Sequence, residues 1–409
     1  MHILDRFGVR LAIRRALAAP IGKTHVLLPA AFLVAFGLNL LTFGVVFFMA
    51  DAFGSSTGEI GLLMALWSLC YFIGCFILRP LGRKLQPRFS MMVATASLAL
   101  CLTALVLWGS KGSTFVFYGL AGLSNSLFFP PLLTWLASGI EGHELNSALS
   151  RFSLSWSLGG VLSPYPAGFL VQRGPVYPLL ACIGCLVVTF LIIGLASIKV
   201  RGMRMPAGAD SKGLSVETVD HSTFLRYPAW LGNFSVYVLM GIISAVFPLF
   251  ARGELGFAES TIGLIFLSRA VLMTVGFVLF GRLTCWHFRA GYQLGLQLLF
   301  AAFILVLVLV RSGTAFFVLL PLQGIFLAAF YSSSVFHGAS GAVERQKRMA
   351  VHEGMLTAGI IIGSVTGGLL YQHYSMRTVF LLSLSVAVAV AAAQLLLFGL
   401  TRNRRESRI

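Results

Sequence analysis

Long apolar runs occupy most of this chain and constrain its fold more than any other feature. About twelve stretches of roughly 20 residues are nearly free of charge, and an α-helix of that length crosses the ~30 Å hydrocarbon core of a bilayer. The runs are continuous, whereas the strands of a membrane barrel alternate apolar and polar residues. Hydrophobic residues make up 58% of the chain and charged residues 11%, which no soluble domain of this length needs. The sequence therefore predicts an all-α integral membrane protein.

The basic residues give the predicted helices a direction. Lys and Arg concentrate in cytoplasmic connections next to span ends, and 24 of the 30 fall on one set of alternate connections, against five on the other, with Arg269 in neither. Both termini are therefore expected in the cytoplasm. Because these residues flank spans, the net charge of +17 reflects topology, and no nucleic-acid partner is expected. The twelve transmembrane helices are predicted at residues 28–50, 59–79, 89–109, 114–138, 149–171, 177–198, 227–250, 260–281, 290–310, 314–337, 353–372 and 378–400.

The sequence repeats itself after about 200 residues. Residues 60–74, IGLLMALWSLCYFIG, recur as residues 262–276, IGLIFLSRAVLMTVG. Residues 159–172, GGVLSPYPAGFLVQ, recur as residues 359–372, GIIIGSVTGGLLYQ, and both copies carry small residues at every fourth position. Small residues at that spacing form one helix face, where two backbones approach closely. Two similar six-helix halves describe a parallel-repeat transporter, in which a central site lies between the halves.

The longest polar stretch separates the two halves, since residues 200–226 lie between the sixth and seventh runs and hold three of the 13 acidic residues. At the N-terminus, Arg6, Arg10 and Arg14 are four residues apart, which predicts an amphipathic segment on the membrane surface. The predicted organisation is a basic amphipathic segment at 1–25, an N-terminal six-helix half at 26–199, a cytoplasmic linker at 200–226, a C-terminal six-helix half at 227–400 and a basic cytoplasmic tail at 401–409.

Three short motifs give these halves a family likeness. The connection after the second span reads GCFILRPLGRKL, and the fifth and eleventh spans carry the small-residue repeat. With these motifs, nearly the whole chain resembles the major facilitator superfamily, in which the fifth-span motif with its proline is typical of antiporters and exporters. Arg79 stands where the connection motif of that family usually has aspartate. The matching residues, read as gating or structural, are Gly82, Arg83, Lys84, Gly159, Pro164, Gly168, Gly359, Gly363, Gly367 and Gly368.

The resemblance implies a function as well as a fold. It implies a secondary active or facilitative transporter that moves a small organic solute by alternating access, with spans 1, 4, 7 and 10 lining the central cavity. The fifth-span motif favours an alternative, an exporter or antiporter of drugs or other amphiphilic compounds. The expected location is the inner cell membrane, crossed many times, and the expected state is a monomer.

Arg269 is a charge inside an otherwise apolar run, IFLSRAVLMTVGFVLF at residues 265–280. It is predicted about 15 Å inside the eighth span, where an arginine costs about 2.5–3.5 kcal/mol. None of the 13 acidic residues falls well inside a predicted span, so we hypothesise that an anionic substrate supplies the counter-charge. The alternatives are a bond to carbonyls freed by Pro164 and Pro166 or to nearby amides, or a gating contact with an acid at the membrane boundary.

Six further polar or aromatic side chains lie in apolar surroundings and complete the predicted substrate-binding site. Taken alone, each is more readily explained by an interhelical hydrogen bond, but together they predict a moderately polar cavity. They are Asn39, Asn125, Asn233, Tyr237, Gln323 and Tyr331.

The sequence carries no signature of catalysis or of a cofactor. It contains no G-x-x-x-x-G-K-[ST] loop, no metal-ligand cluster and no nucleophile with a base at usable spacing. A membrane enzyme or sensor that keeps this fold would need such a constellation, so no enzyme activity, metal or cofactor is expected. The expected partners are a small-molecule substrate and the lipid bilayer. A coupling ion is not indicated, because the nearest titratable residues, Asp51, His337, His352 and Glu353, lie near predicted span ends.

Overall fold

The structure is a computed structural model that describes residues 23–137, 142–199, 223–340 and 345–406, and most of these residues are helical. Most of the predicted amphipathic segment and linker, and the end of the predicted tail, lie outside the described residues. The helices are α1 Lys23–Phe53, α2 Thr57–Ile77, α3 Arg79–Lys84, α4 Pro87–Trp108, α5 Lys111–Asn125, α6 Phe129–Ala137, α7 Gly142–Leu162, α8 Pro164–Arg173, α9 Tyr177–Lys199, α10 Arg226–Ala245, α11 Phe247–Gly253, α12 Glu259–Arg282, α13 Ala290–Leu309, α14 Gly313–Ala339, α15 Arg345–His373 and α16 Met376–Glu406.

Prolines divide two of the predicted spans. Within the described residues, 11 helical segments are long and apolar enough to cross a membrane, against twelve predicted. The remaining span is the fifth, which divides into α7 and α8 because Pro164 begins a new helix. Proline lacks the N–H that would bond to the carbonyl four residues earlier, and its ring displaces that carbonyl. The fourth span is interrupted between Asn125, where α5 ends, and Phe129, where α6 begins just before Pro130 and Pro131.

The two halves pack their helices in the same way. In the N-terminal half α1 packs on α7 and α9, and in the C-terminal half its counterpart α10 packs on α15 and α16. The contact of α2 with α5 corresponds to that of α12 with α14. The halves meet where α2 packs on α15 and where α8 packs on α12, and these two contacts also correspond. The structure therefore shows the duplication that the sequence repeats predict.

Backbone contacts between the halves are duplicated as well. A methyl group placed on Gly61 of α2 would strike the carbonyl of Ser364 in α15, and one placed on Gly263 of α12 would strike the carbonyl of Pro164 in α8. Gly61 and Gly263 occupy corresponding positions in the repeat, as do Pro164 and Ser364. Because glycine lacks a side chain, the two backbones come together at these points.

Glycines of the fifth and eleventh spans make the neighbouring contacts. Gly168 lies against the backbone of α12 at Glu259, and Gly368 lies against the backbone of α2 at Thr57. Inside each half, the remaining motif glycines face the first helix of that half, α1 or α10. They are Gly159, Gly359, Gly363 and Gly367. These motif residues therefore bring helices together, while their role in gating stays a prediction.

Polar contacts between the halves lie at one end of the bundle, which we call the Asp51 end, where α1 ends and α2 begins. Between described residues, the hydrogen bonds and the ion pair that join the halves are all found there, so this end is closed. They are the bonds from Arg252 to Asp51 at 2.6 and 2.8 Å, from Thr57 Oγ1 to the Gly368 carbonyl at 3.0 Å, and from Gln172 Nε2 to Ser260 Oγ at 3.0 Å.

Replacing Gly363 by alanine should destabilise the bundle. The added methyl group would strike the carbonyl of Val238, and overpacking of this kind costs about 1–3 kcal/mol. We expect a lower midpoint of thermal unfolding in detergent for Gly363→Ala than for the wild type. The matched control is Gly295→Ala in α13, where the methyl group would have no described atom within 4 Å and helix propensity favours alanine by up to about 1 kcal/mol. Equal midpoints in the two variants would contradict this account.

Candidate functional site

Arg269 lies inside the bundle and away from its lipid-facing surface. It follows Glu259, the first residue of α12, by about ten residues, or roughly 15 Å along the axis. Leu264, Val271 and Val275 are exposed on one face of this helix. At about 100° per residue, Arg269 lies about 140° away from Leu264, and it is half-buried. The accessible part of its side chain therefore faces the space between helices.

The guanidinium group of Arg269 contacts two side chains. Its Nη1 donates to Gln323 Oε1 on α14 over 3.2 Å, and its Cζ is 5.2 Å from the centre of the Phe266 ring. The Phe266 ring meets Phe43 of the N-terminal half edge-on, with ring centres 5.7 Å apart. Arg269 thus lies beside the interface of the two halves. Within the described residues, no carboxylate forms an ion pair with it.

The contacts of Arg269 distinguish some of the partners that the sequence predicts for it. Its hydrogen bond goes to an amide, that of Gln323, whereas the Gly160 carbonyl, which Pro164 frees, accepts from Ser163 Oγ over 3.3 Å. Gln323 is 0% exposed, and its Nε2 has no hydrogen-bond partner in the described part of the chain. One neutral acceptor does not balance the charge of a guanidinium group. Both side chains therefore hold N–H donors that the described helices leave unused.

Comparing the two halves shows whether the helix packing at Arg269 depends on its charge. Gly324 lies against the backbone carbonyl of Arg269, and its counterpart Gly122 lies against that of Trp67, the counterpart of Arg269. The helices approach in the same way in both halves, although one half holds an indole and the other a guanidinium group. The packing at this level therefore does not require the charge.

Two tyrosines lie near Arg269 in the C-terminal half. Tyr237 of α10 is buried and lies within electrostatic range of Arg269 and of Tyr331. Tyr331 of α14 is half-buried, and its ring centre is 5.5 Å from that of Phe277 on α12. We call Arg269, Gln323, Tyr237 and Tyr331 the C-half polar cluster. The structure thus brings together these predicted residues from three helices.

Asn233 is buried on α10, one turn before Tyr237. Its side chain is 0% exposed, and neither amide atom has a hydrogen-bond partner in the described residues. An unsatisfied buried polar group costs about 1–3 kcal/mol. Gly159 packs on the Phe32 carbonyl, and its counterpart Gly359 packs on the Phe234 carbonyl, so the residue that corresponds to Asn233 in the N-terminal half is Ala31. The amide of Asn233 therefore lowers stability at a position where the same fold accepts a methyl group.

Asn39 and Asn125 lie in the N-terminal half. Asn39 is half-buried, and its Nδ2 donates to the Ala35 carbonyl of its own helix over 2.8 Å. Asn125 is the last residue of α5 and is buried, and its Oδ1 has no partner in the described chain. No hydrogen bond between described residues joins either of them to the C-half polar cluster. Their place in the substrate site stays a prediction.

The connection after the second span forms the short helix α3, which begins at Arg79 just before Pro80. Gly82 and Arg83 lie within this helix, and Lys84 ends it and is exposed. Proline suits the first turn of a helix because its missing N–H has no partner to lose there. A gating role for these residues stays a prediction.

Sequence reasoning named His352 and Glu353 only as titratable residues near the start of the eleventh span, and it did not predict the burial of His352. The helix α15 begins at Arg345, ahead of the apolar run that defined the span, so both residues lie within it. His352 is 1% exposed, its Nδ1 is 2.7 Å from Ser334 Oγ, and its ring centre is 4.9 Å from that of Tyr331. The helical pattern continues through polar residues here, so hydropathy alone does not reveal it.

The sequence also did not predict the ion pair at the Asp51 end. Both Arg252 Nη atoms donate to the carboxylate of Asp51, and Nη1 is 3.5 Å from Glu259 Oε1. The guanidinium group lies 4.9 Å from the centre of the Phe47 ring. Hydrogen bonding to Asp51 raises the pKa of Arg252 above its ordinary value. The sequence does place opposite charges just after the first and seventh spans, Asp51 and Arg252, and these two spans correspond in the repeat.

Known proteins share the sequence pattern and the architecture. The sequence profile of the Major Facilitator Superfamily matches residues 27–284 and again residues 229–408. One similar structure is a bacterial homolog to the human lysosomal transporter Spinster, inward-facing and unoccupied, with a TM-score of 0.71 and 16% identity over 91% of this chain and 96% of that chain. The nucleoside transporter NupG is also similar, with a TM-score of 0.71 and 14% identity over 92% of this chain and 99% of that chain. A POT family transporter in complex with a thioalcohol conjugated peptide has a TM-score of 0.72 and 13% identity over 91% of this chain and 95% of that chain. No curated protein matches the sequence.

Two repeated helical halves with an unbalanced charge beside their interface define a multi-pass membrane transporter. The chain belongs to the major facilitator superfamily, as its motifs predict, and its function is the transport of a solute across a membrane. The low identity of the solved structures means that they confirm the all-α fold and leave the substrate open.

Replacing Asn233 by alanine should leave the fold intact and impair transport. The change removes two unpaired polar atoms, which cost about 1–3 kcal/mol, and this gain offsets the small void that alanine leaves. We expect the midpoint of thermal unfolding of the ligand-free protein to stay level or rise, and solute uptake into proteoliposomes to fall. A drop of several degrees in the midpoint would show instead that the amide has a structural partner.

Proposed function

We propose that this protein moves a small organic anion across the inner cell membrane by alternating access, and that Arg269 binds the anionic group. The observation that carries this proposal is a half-buried guanidinium group near the middle of the bundle, with no carboxylate of the described residues paired to it. An arginine at this depth costs about 2.5–3.5 kcal/mol unless a partner or water stabilises it. A bound anion is such a partner.

The chemistry of the C-half polar cluster suits a carboxylate, phosphate or sulfonate. Arginine carries five N–H donors in a planar fork, and the bond to Gln323 uses one of them. Gln323 Nε2 adds an unused neutral donor, and the Tyr237 hydroxyl lies close enough to interact electrostatically with the guanidinium group. Donors from α10, α12 and α14 are thus available to one anionic group.

The closed Asp51 end supports a transport cycle. The charge distribution assigns this end to the outer side of the membrane, so the outer end of the bundle is the closed one. Opening to the outside requires the bonds of Arg252 to Asp51 and of Thr57 to Gly368 to break. The halves then rock about the glycine contacts of α2 with α15 and of α8 with α12. One chain contains both halves, so a monomer completes the cycle.

A second candidate is an exporter or antiporter of drugs or other amphiphiles. Pro164 favours it, because it breaks the fifth span where α8 meets α12 of the other half, in the motif that resembles those of antiporters. An amphiphile would bind mainly through apolar contacts and would not need Arg269. The two candidates therefore differ in their dependence on a single side chain.

Organic anions should stabilise the wild type and fail to stabilise Arg269→Ala. A ligand at about 100 times its Kd adds roughly 2.7 kcal/mol to the folded state, which a thermal unfolding scan in detergent detects. We expect this gain for mono- and dicarboxylates, phosphates or sulfonates and not for neutral sugars.

Arg269→Lys is the matched control, since it keeps the charge and loses the planar fork. It should bind the same anions more weakly than the wild type. A different result would contradict the anion proposal and support the second candidate. In that result, cationic amphiphiles stabilise the wild type and Arg269→Ala equally, and anions stabilise neither protein.

Removing the charge of Asp51 should shift the halves towards the outward-open state. A partly exposed ion pair contributes about 0.2–1 kcal/mol, so Asp51→Asn should change the ratio of the two states by up to about fivefold. Spin-label distances between the outer ends of α2 and α15 measure this shift. The exchange Asp51→Arg with Arg252→Asp should restore the wild-type distribution.

Lys111→Ala is the control for this experiment. Lys111 pairs with Glu59 over 2.9 Å at the same end, but both residues belong to the N-terminal half. Its loss should leave the distances between the halves unchanged. The same distance change in Lys111→Ala and Asp51→Asn would argue against a specific role for the bond between the halves.

A further inference from the structure

Glu353 is a second unpaired charge, which the proposed function does not use. It lies on α15 and is exposed. In the described residues its carboxylate forms no hydrogen bond and no ion pair. The titratable side chains within electrostatic range of it are Tyr71 and Cys75 of α2, Tyr237 of α10 and Tyr331 of α14. The carboxylate therefore lies between helices of both halves.

Helix contacts tie Glu353 to the C-half polar cluster. The adjacent residue, His352, is buried against the Tyr331 ring and lies 2.7 Å from Ser334 on α14. Farther along α15, Gly359 packs against Tyr237. Glu353 lies six residues before this contact, or about 9 Å along the helix axis. The carboxylate is therefore roughly two helical turns from the level of Tyr237.

Tyr237 connects the two unpaired charges. It lies within electrostatic range of both Arg269 and Glu353, and these two residues are not bonded to each other. The charge of Arg269 is costly to hold inside the bundle without a partner, while the exposed carboxylate of Glu353 is free to bind an ammonium group. A simple anion would satisfy only Arg269, whereas a molecule with charges of both signs would satisfy both residues.

We propose that the transported solute is a zwitterion, with its anionic group on Arg269 and its ammonium group on Glu353. This inference rests on the proposed function, because it uses the same anion site. Gln323 bonds to Arg269, and Tyr331 packs on His352, the neighbour of Glu353. Gln323 and Tyr331 are eight residues apart on α14, or about 12 Å along the axis, so the two charges of the solute are several bonds apart. The rings of Tyr237 and Tyr331 provide faces that attract an ammonium group.

Matched pairs of probes test this inference. The purified full chain in detergent is titrated with ω-amino acids of increasing length and with the carboxylates that lack the amino group, such as 6-aminohexanoate and hexanoate. We expect the wild type to bind at least one amino acid about tenfold more tightly than its partner, which corresponds to about 1.4 kcal/mol. Glu353→Gln should bring this ratio to about one and leave carboxylate binding intact.

Two control variants make the result specific. Glu353→Asp should keep part of the preference, since it keeps the charge. Glu59→Gln, which changes a carboxylate at the Asp51 end, should keep all of it. Thermal unfolding without ligand checks that each variant folds.

Three results would overturn the inference. A wild type that binds carboxylates through Arg269 with no preference for amino acids overturns it and leaves the proposed function standing. If Glu353→Gln keeps the wild-type ratio of amino-acid to carboxylate affinity but alters the pH dependence of uptake, Glu353 binds protons and not the ammonium group. Binding of neither member of any pair, or binding that Arg269→Ala does not weaken, overturns the proposed function as well.

Discussion

Two symmetric backbone contacts hold the halves together, and the position of the candidate site depends on them. Helices in a bilayer gain little from hydrophobic burial against each other, so their association relies on close packing of small residues. Gly61 meets Ser364 and Gly263 meets Pro164 with no side chain between the backbones. Arg269 lies on the same helix as Gly263, about 9 Å farther along the axis. A rocking movement about these contacts displaces nearby atoms least. In the proposed alternating-access cycle, Arg269 would therefore move less than the ends of the bundle.

The frame is symmetric, but the chemistry of the site is not. Corresponding positions of the N-terminal half hold Trp67 for Arg269, Ala121 for Gln323 and Ala31 for Asn233. The backbone contacts of these levels are shared, as Gly122 and Gly324 show. At these three levels the polar groups thus belong to the C-terminal half. In physical terms, the C-terminal half supplies donors and charge, while the N-terminal half supplies apolar surface such as Phe43 against Phe266.

Hydropathy was enough to predict the all-α class, because a bilayer leaves the backbone few ways to satisfy its hydrogen bonds, and the recurrence of sequence segments after about 200 residues predicted the repeat. The motif glycines of the fifth and eleventh spans were predicted as close-contact positions, and the structure shows what each of these contacts. The divided fifth span was not predicted, since hydropathy averages over Pro164. The start of α15 was missed because its first turns are polar, and with it the burial of His352. The bond of Arg269 to Gln323 needed three-dimensional contacts between helices that no local pattern encodes.

Charges in this molecule divide into two groups with different physical roles. At the Asp51 end, Arg252 is bonded to Asp51 and Lys111 to Glu59, all of them partly exposed. Such pairs are weak enough to break and re-form during a conformational change. Arg269 and Glu353, in contrast, have no oppositely charged partner among the described residues, and for Arg269 inside the bundle this is costly. Pairing them with each other would lower that cost and leave nothing for a solute to bind. The separation of the two charges is therefore the feature on which the proposed binding of a charged solute depends.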